Sequence, residues 1–345
     1  MKVALVTGLC PPGRDGPGDY IAHLSKALAA SGVEARVIAS EDWRVVGAFK
    51  VRDSLQDFDL VHIQYPTLGF GYRLGPQVLS LLRGCVITIQ EASQRRILRK
   101  LSLLPFLVRP RHVIFLDDFE RRYVITRAPW VARISSIILT PGNIRVFPQE
   151  RPRTLGEIVY FGLILPRKGL EEVVELSRLI KSGGLPLRVR IIGGRRLEHL
   201  KYLEKLRSVT AELPVIWDLD LSEEQVAEKL ASSAVAYLPY PDGVSERRST
   251  FKAALANGVA VVTTLGSQTP EDMQSFLRFA RTPQEALITA RSLLESPEER
   301  AKLARNAGLY LQQYSWERAA EEHLAVYQNL LNPMRGSASV KVENP

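Results

Sequence analysis

GVSERRSTFKAALANGVAVVTT, residues 243–264, packs a glycine-started polar loop, a helix and a short apolar run into one unit. VAYLPY (235–240) before it reads as a strand that stops at proline. Ser249 or Thr250 is suited to cap a helix over Phe251–Asn257, and Gly258 stands where a left-handed residue closes one. Ala260–Thr264 then has the look of a strand buried in a parallel sheet. A strand–loop–helix unit of this kind aims free backbone N–H groups at the carboxyl edge of its sheet, a ready anion site. Arg247, Arg248, Ser249 and Thr250 occupy that spot. They suit a phosphate or diphosphate pocket; they equally suit an ordinary capped unit with solvated arginines.

The same alternation runs along the chain. In the first half, strands are expected at Lys2–Thr7, Glu34–Ala39, Leu60–Gln64, Val86–Gln90 and His112–Leu116, with a short one near Ser136–Leu139. Helices are expected at Tyr20–Ala30, Gly75–Leu82, Arg95–Leu103 and Asp118–Val124. A polar, proline-bearing stretch from Phe147 to Arg153 is the best linker candidate. Beyond it come strands Ile158–Phe161, Leu187–Ile192, Val215–Trp217, Val235–Leu238 and Val259–Thr263. Helices Leu170–Lys181, Glu198–Leu206, Glu223–Leu230 and Thr250–Ala256 alternate with them. The end is all helix: Pro283–Leu294, Pro297–Leu311 and Trp316–Leu331. Alternation of this kind builds parallel sheets covered on both faces. The expected organisation is therefore α/β. It comprises a Rossmann-like domain over residues 1–147, a linker over 148–155, a second Rossmann-like domain over 156–314, a closing helix over 315–332 and a disordered tail over 333–345.

Composition agrees. A chain of 345 residues, 46% hydrophobic, is long for one core and sufficient for two. No apolar run approaches the ~20 residues that span a bilayer, and MKVALVTG reads as a first strand rather than a signal peptide. Cys10 and Cys85 make no disulfide framework, which points to a cytoplasmic protein. Charge is uneven: residues 1–150 carry 20 Lys and Arg against 13 Asp and Glu. From Ala92 to Leu116 there is no acid at all, while Arg95, Arg96, Arg99, Lys100, Arg109 and Arg111 interleave with leucines. A segment like 92–111 can lie on an anionic membrane at the inner membrane surface; it can also be a solvated helix whose leucines pack on its own sheet. Nucleic acid is not expected as a partner, because no recognition motif or stacking platform accompanies the charge.

The segment ALANGVAVVTT (254–264) resembles the donor-site segment of retaining GT-B glycosyltransferases of the family-4 type. GLILPRKG (162–169) resembles that family's first diphosphate-binding turn. GPGDY (16–20) with the helix after it resembles its N-terminal glycine loop, and Ser315-Trp316-Glu317 its closing helix. The match covers roughly residues 1–332. It implies two facing Rossmann-like domains with a cleft between them, a C-terminal helix returning toward the N-domain, and transfer of a sugar from a nucleotide-sugar donor with retention and without metal or other cofactor.

Residue by residue, the resemblance assigns the donor side to Gly162, Arg167, Lys168, Gly193, Asp218, Arg247, Arg248, Ser249 and Thr250. Lys168 would grip the diphosphate, helped by the dipole of the helix that follows. The family's companion arginine would fall at Leu163, so Arg167 is the substitute. Its two glutamates would fall at Ser245 and Ala253; Glu246, one residue off, is left for the sugar-facing role. The family's histidine after the fourth strand is replaced by Gln90-Glu91, leaving Gln90 to bond a hydroxyl and Glu91 to polarise the acceptor. Gly16, Gly18, Tyr20, Gln64 and Asn143 complete the acceptor side, with Tyr65 beside Gln64. His62 lies inside an apolar strand and reads as a core or cleft-wall histidine. Asp218-Leu219-Asp220 and Asp57-Phe58-Asp59 are DxD triplets, read here as chance occurrences rather than metal sites. The acceptor is expected to be a saccharide or a lipid-linked saccharide. A binding subunit that keeps the fold but not turnover is the alternative, motivated by the missing acids at 245 and 253; a sugar-nucleotide epimerase is a weaker one.

Overall fold

The computed structural model describes residues 1–9, 16–40, 42–93, 100–142 and 144–332, which divide into two compact units. The first comprises Met1–Thr140 and the chain from Ser315; the second is Pro141–Tyr314. Strands of the first are β1 (Lys2–Thr7), β2 (Glu34–Ala39), β3 (Leu60–Tyr65), β4 (Val86–Ile89), β5 (His112–Phe115) and β6 (Ser135–Ile137). They form one parallel sheet in the order β2-β1-β3-β4-β5-β6. Its helices are α1 (Gly16–Ala30), α2 (Val45–Ser54), α3 (Gly75–Arg83), α4 (Leu104–Val108) and α5 (Asp118–Ile125).

The second unit repeats the plan. Strands β7 (Thr154–Phe161), β8 (Arg188–Gly193), β9 (Val215–Leu219), β10 (Ser233–Leu238), β11 (Ala260–Thr263) and β12 (Leu277–Phe279) are parallel, in the order β12-β11-β10-β7-β8-β9. Its helices are α6 (Leu170–Ser182), α7 (Leu200–Val209), α8 (Glu223–Ala231), α9 (Ser249–Ala256), α10 (Pro283–Glu295) and α11 (Pro297–Leu311). The last helix, α12 (Trp316–Leu331), packs back on α1 of the first unit. Many helix starts follow from local chemistry. Ser222 and Gln225 form a capping box at α8, and Thr282, Ser296 and Ser315 each accept an N–H of the first turn of α10, α11 and α12.

Alternate residues of β1 show how the first sheet is covered. Ala4 and Val6 join a cluster with Trp43, Val51, Leu79 and Phe106, while Val3 and Leu5 join Ile21, Leu24, Ala320 and Tyr327 on the opposite face. A strand buried on both sides must read as a continuous apolar run, as β1 does.

Three expectations need correction. The boundary between the units falls at Thr140/Pro141 instead of at 148–155. Residues after 141 are tied into the second unit: the Phe147 N–H donates to Asn257 Oδ1, Arg151 pairs with Glu228, and Thr154 already opens β7. Helix α2 was not anticipated, because its sequence carries two valines and a glycine in its first turn and no side-chain cap. Strand β12, only three residues long, was also missed. Arg95, Arg96, Arg99, Cys10 and the tail 333–345 lie outside the described residues. No helix among the described residues is long and apolar enough to cross a membrane.

A buried polar network fastens α12 to the first sheet. His62 on β3 is fully buried, with Nδ1 2.6 Å from the Tyr327 hydroxyl and Nε2 2.7 Å from Thr88 Oγ1. His323 bonds the Ala319 carbonyl through Nδ1 at 2.6 Å, and Tyr20 Oη lies 3.5 Å from its Nε2. Burial holds the His62 pKa well below its ordinary value and takes those of His323 and His112 from 6.5 to about 4. These groups are neutral in the fold and protonate more readily when it opens. Their stabilisation is therefore complete above pH 6.5 and is lost as the pH falls toward 4, by up to about 1.4 kcal/mol per pH unit for each histidine. Thermal melts across this window should fall with acidity. His112→Gln, a substitution suited to keeping the bond to Ser136 Oγ, should flatten the slope by one histidine's share; an unchanged slope would contradict the assignment.

Candidate functional site

In the second sheet the chain leaves β7 toward β8 and β9, then returns to β10 on the other side of β7. Numbered from β7, this is the strand order of a dinucleotide-binding sheet, and ligands of such sheets bind beyond the carboxyl ends of the two strands at the reversal. The two turns that meet there are 162–169 after β7 and 239–248 after β10. Gly169 joins them: it has φ +80°, and a Cβ on it would overlap the Pro239 carbonyl oxygen. Only glycine satisfies both conditions.

Polar groups converge on this point. The Tyr160 hydroxyl, on β7, donates to the Lys168 carbonyl at 3.2 Å, fixing the turn that carries the lysine. Lys168 itself is half-buried. The Tyr240 hydroxyl lies 2.7 Å from Thr250 Oγ1, and the Arg248 guanidinium sits over the Tyr240 ring at 5.0 Å. Burial raises the pKa of Tyr240 to about 12, so it stays neutral. Burial likewise raises that of Tyr160, against which the nearby positive charge of Arg248 acts. The expected cap at Ser249 or Thr250 does not form. Helix α9 starts at Ser249, which puts Ser249 and Thr250 inside it and makes Arg248 the N-cap, and a guanidinium has no acceptor to offer the first-turn N–H groups. In the first turn of α9 the Phe251 N–H donates to the Tyr240 side-chain oxygen, so the tyrosine rather than the N-cap residue secures the helix start beside Arg248. Arg247 and Ser249 are half-buried in the same turn.

The loop is held from beneath by a group that sequence alone did not reveal. Lys252 is fully buried; its Nζ donates to the Glu246 carbonyl and lies 3.8 Å from the centre of the Tyr314 ring. Glu246, expected to face the sugar, instead accepts the Tyr314 hydroxyl through Oε1 at 3.0 Å. Its carboxylate therefore anchors the loop. Ser245 is buried with an unpartnered hydroxyl, and Ala253 is fully buried, so neither supplies the missing acid.

Other expected donor residues are structural. The Gly162 N–H is spent on the Ile192 carbonyl, extending the sheet by one bond. A Cβ on Gly193 would overlap Ile164 and the Gly162 carbonyl, so its smallness serves loop packing. Asp218 is paired with Arg190, which also bonds Glu157 at 2.7 Å, forming a charged ladder across β7, β8 and β9. Asp220 pairs with Arg195 rather than standing free beside Asp218. No metal-binding cluster of His, Cys, Asp or Glu occurs among the described residues. Arg167 is exposed, with φ +65°. Arg196, beyond β8, is buried with Nε and Nη2 lacking partners.

In the first unit, Gly16 and Gly18 lie in the first turn of α1 rather than in a loop, and a Cβ on Gly16 would meet nothing. Tyr20 is buried against Trp316 and His323 and therefore ties α1 to α12 instead of facing an acceptor. Tyr65 is buried too, 2.7 Å from Ser102 Oγ. His62 is the core histidine that was expected. Gln64 is fully buried with neither amide atom bonded. Gln90 and Glu91 are half-buried at the end of β4, where the Gln90 N–H donates to the Tyr65 carbonyl. Asn143 lies outside the described residues.

Comparison with solved structures gives the fold a name. Sucrose-phosphate synthase from Thermosynechococcus elongatus superposes with a TM-score of 0.73 at 16% identity, covering 96% of this chain and 100% of that one. Anabaena HepE in complex with UDP and glucose gives 0.71 at 11% identity over 95% and 100%. The fold is that of the GT-B glycosyltransferases. A glycosyltransferase from Rickettsia africae gives 0.70 at 10% identity over 96% and 98%. No protein-family model matches the chain, and no curated protein matches it. At such identities the likeness establishes architecture, and the chemistry must come from the residues.

Two glycine substitutions separate the close approach from the helix turn. Gly169→Ala should destabilise by about 3 kcal/mol or more, combining backbone strain with overlap at Pro239. Gly16→Ala, in a helix with open space around it, should be neutral or stabilise by up to about 1 kcal/mol. Denaturant midpoints of the two variants check both; equal effects would contradict the geometry.

Proposed function

We propose that the chain is a glycosyltransferase whose donor is a nucleotide sugar, its diphosphate held at the carboxyl edge of the second sheet. The observation that carries this is the meeting of Lys168, Arg248 and the start of α9 where the turns after β7 and β10 are pressed together by Gly169. That arrangement offers cations and oriented N–H groups to phosphate oxygens. HepE has been crystallised with UDP and with UDP-glucose, which supports a nucleotide sugar over other phosphates.

In this proposal the departing nucleoside diphosphate accumulates charge as the sugar bond breaks, and Lys168 and Arg248 stabilise it electrostatically. No metal is required where two cations and a helix N-terminus already face the phosphates. Transfer proceeds with retention, the leaving phosphate taking the acceptor proton as the new bond forms. The acceptor is a saccharide or lipid-linked saccharide, met by Gln90 and Glu91 at the end of β4. Ribose recognition differs from the family pattern, because Ser245 and Ala253 replace its carboxylates.

A panel of nucleoside diphosphates should raise the melting temperature of the wild type for at least one base. Saturation at about a hundred times Kd stabilises by about 2.7 kcal/mol. Lys168→Ala and Arg248→Ala should each weaken that binding about tenfold or more, since a charge-assisted bond is worth about 1.5–3 kcal/mol. Absence of any shift, or shifts that both variants retain, would contradict the proposal.

A further inference from the structure

We propose that the face of the first unit built by α4 and the 3₁₀ turn Pro129–Ile134 docks on an anionic lipid bilayer. This does not rest on the donor reading, since it concerns a different unit and different residues.

Leu104 and Val108 stand one turn apart on α4, with Leu101 just before the helix, and each is more than half exposed. Phe106 and Leu107, on the other side of α4, are buried in the core, so the helix is anchored while its outer side chains project. Trp130 is also more than half exposed, and its indole N–H donates to the Leu107 carbonyl at 2.9 Å. That bond holds the ring at the end of the apolar row. An indole with one polar and one apolar end suits the boundary between headgroups and hydrocarbon.

Cations frame this row. Lys100 and Arg127 both lie over the Tyr123 ring, at 5.4 and 3.9 Å, and Arg109 follows α4 directly and is exposed. Acids are turned away or matched. Glu120 is buried, accepting the N–H groups of Ala92 and Ser93 at 2.7 and 2.9 Å, and Asp117 caps α5 from within. Asp118 pairs with Arg122 at 2.7 Å. Helix α3, packed beside α4, contains no acid and exposes Leu81 and Leu82. Projecting apolar tips among cations, with the carboxylates withdrawn, complement a hydrocarbon layer beneath a negative headgroup plane.

The test is co-sedimentation of the full chain with vesicles of phosphatidylcholine alone or mixed with phosphatidylglycerol. The wild type should bind the mixed vesicles, and salt should weaken that binding. Leu104→Glu with Val108→Glu should lower the partition coefficient at least about tenfold, because two apolar contacts become repulsive charges. Lys100→Glu with Arg109→Glu should lower it by at least about fivefold for each cation removed. Both double variants should keep the wild-type melting temperature and circular dichroism, which report that the first unit still folds. Failure to bind anionic vesicles, capture by heparin alone, or binding undiminished in both variants would overturn the proposal while leaving the donor site standing.

Discussion

The Pro239 carbonyl leaves no room for a side chain at residue 169, and the second unit is organised around that contact. It presses the turn after β7 against the turn after β10 at the one place where the strand order reverses. A left-handed glycine there lets α6 begin immediately, so Lys168 is delivered at the helix entrance rather than along an open loop. Tyr160 then fixes the lysine's backbone from below. Two further glycines with no room for a Cβ, Gly193 and Gly243, press the neighbouring loops into the same edge. Backbone proximity therefore comes before any charge in building the site.

Charge is managed in two layers. At the edge, Arg248 lies over the ring of a tyrosine that burial keeps neutral. Beneath it, Lys252 is buried whole, a placement tolerable only with a hydrogen-bond acceptor and a polarisable neighbour; the Glu246 carbonyl and the Tyr314 ring provide them. The carboxylate of Glu246 belongs to this supporting layer through Tyr314. Glu246 is the one carboxylate between Gly243 and Ala256, and Arg247, Arg248, Ser249 and Thr250 leave the edge basic and hydroxyl-rich. The first unit uses buried polarity differently: His62, Thr88 and Tyr327 close hydrogen bonds that pin the last helix to the first sheet.

The sheets were legible in the sequence wherever strands are buried on both faces, because LVHIQ or AVAYL can hardly be anything else. Capped helices such as α10 and α11, each opened by Thr or Ser and then proline, were equally plain. Helix α2 was not, since its ten residues bear neither a cap nor a clear apolar stripe. Lys168, Arg248 and the edge they occupy could be placed from turn chemistry and resemblance. The roles of Gly162, Gly193, Asp218 and Tyr20 could not, because each depends on a partner distant in sequence: Ile192, Ile164, Arg190 and His323. Lys252 was invisible for the same reason. A lysine within an alanine-rich helix reads as a solvated residue until Tyr314, sixty-odd positions on, is seen to cover it.

The most direct measurement is a crystal structure of the chain grown with a saturating nucleoside diphosphate. Phosphate oxygens within hydrogen-bonding distance of Lys168 and Arg248, facing the first turn of α9, are the predicted result. A diphosphate bound elsewhere, or an empty edge at saturating concentration, would contradict the account of this sheet edge as a donor site.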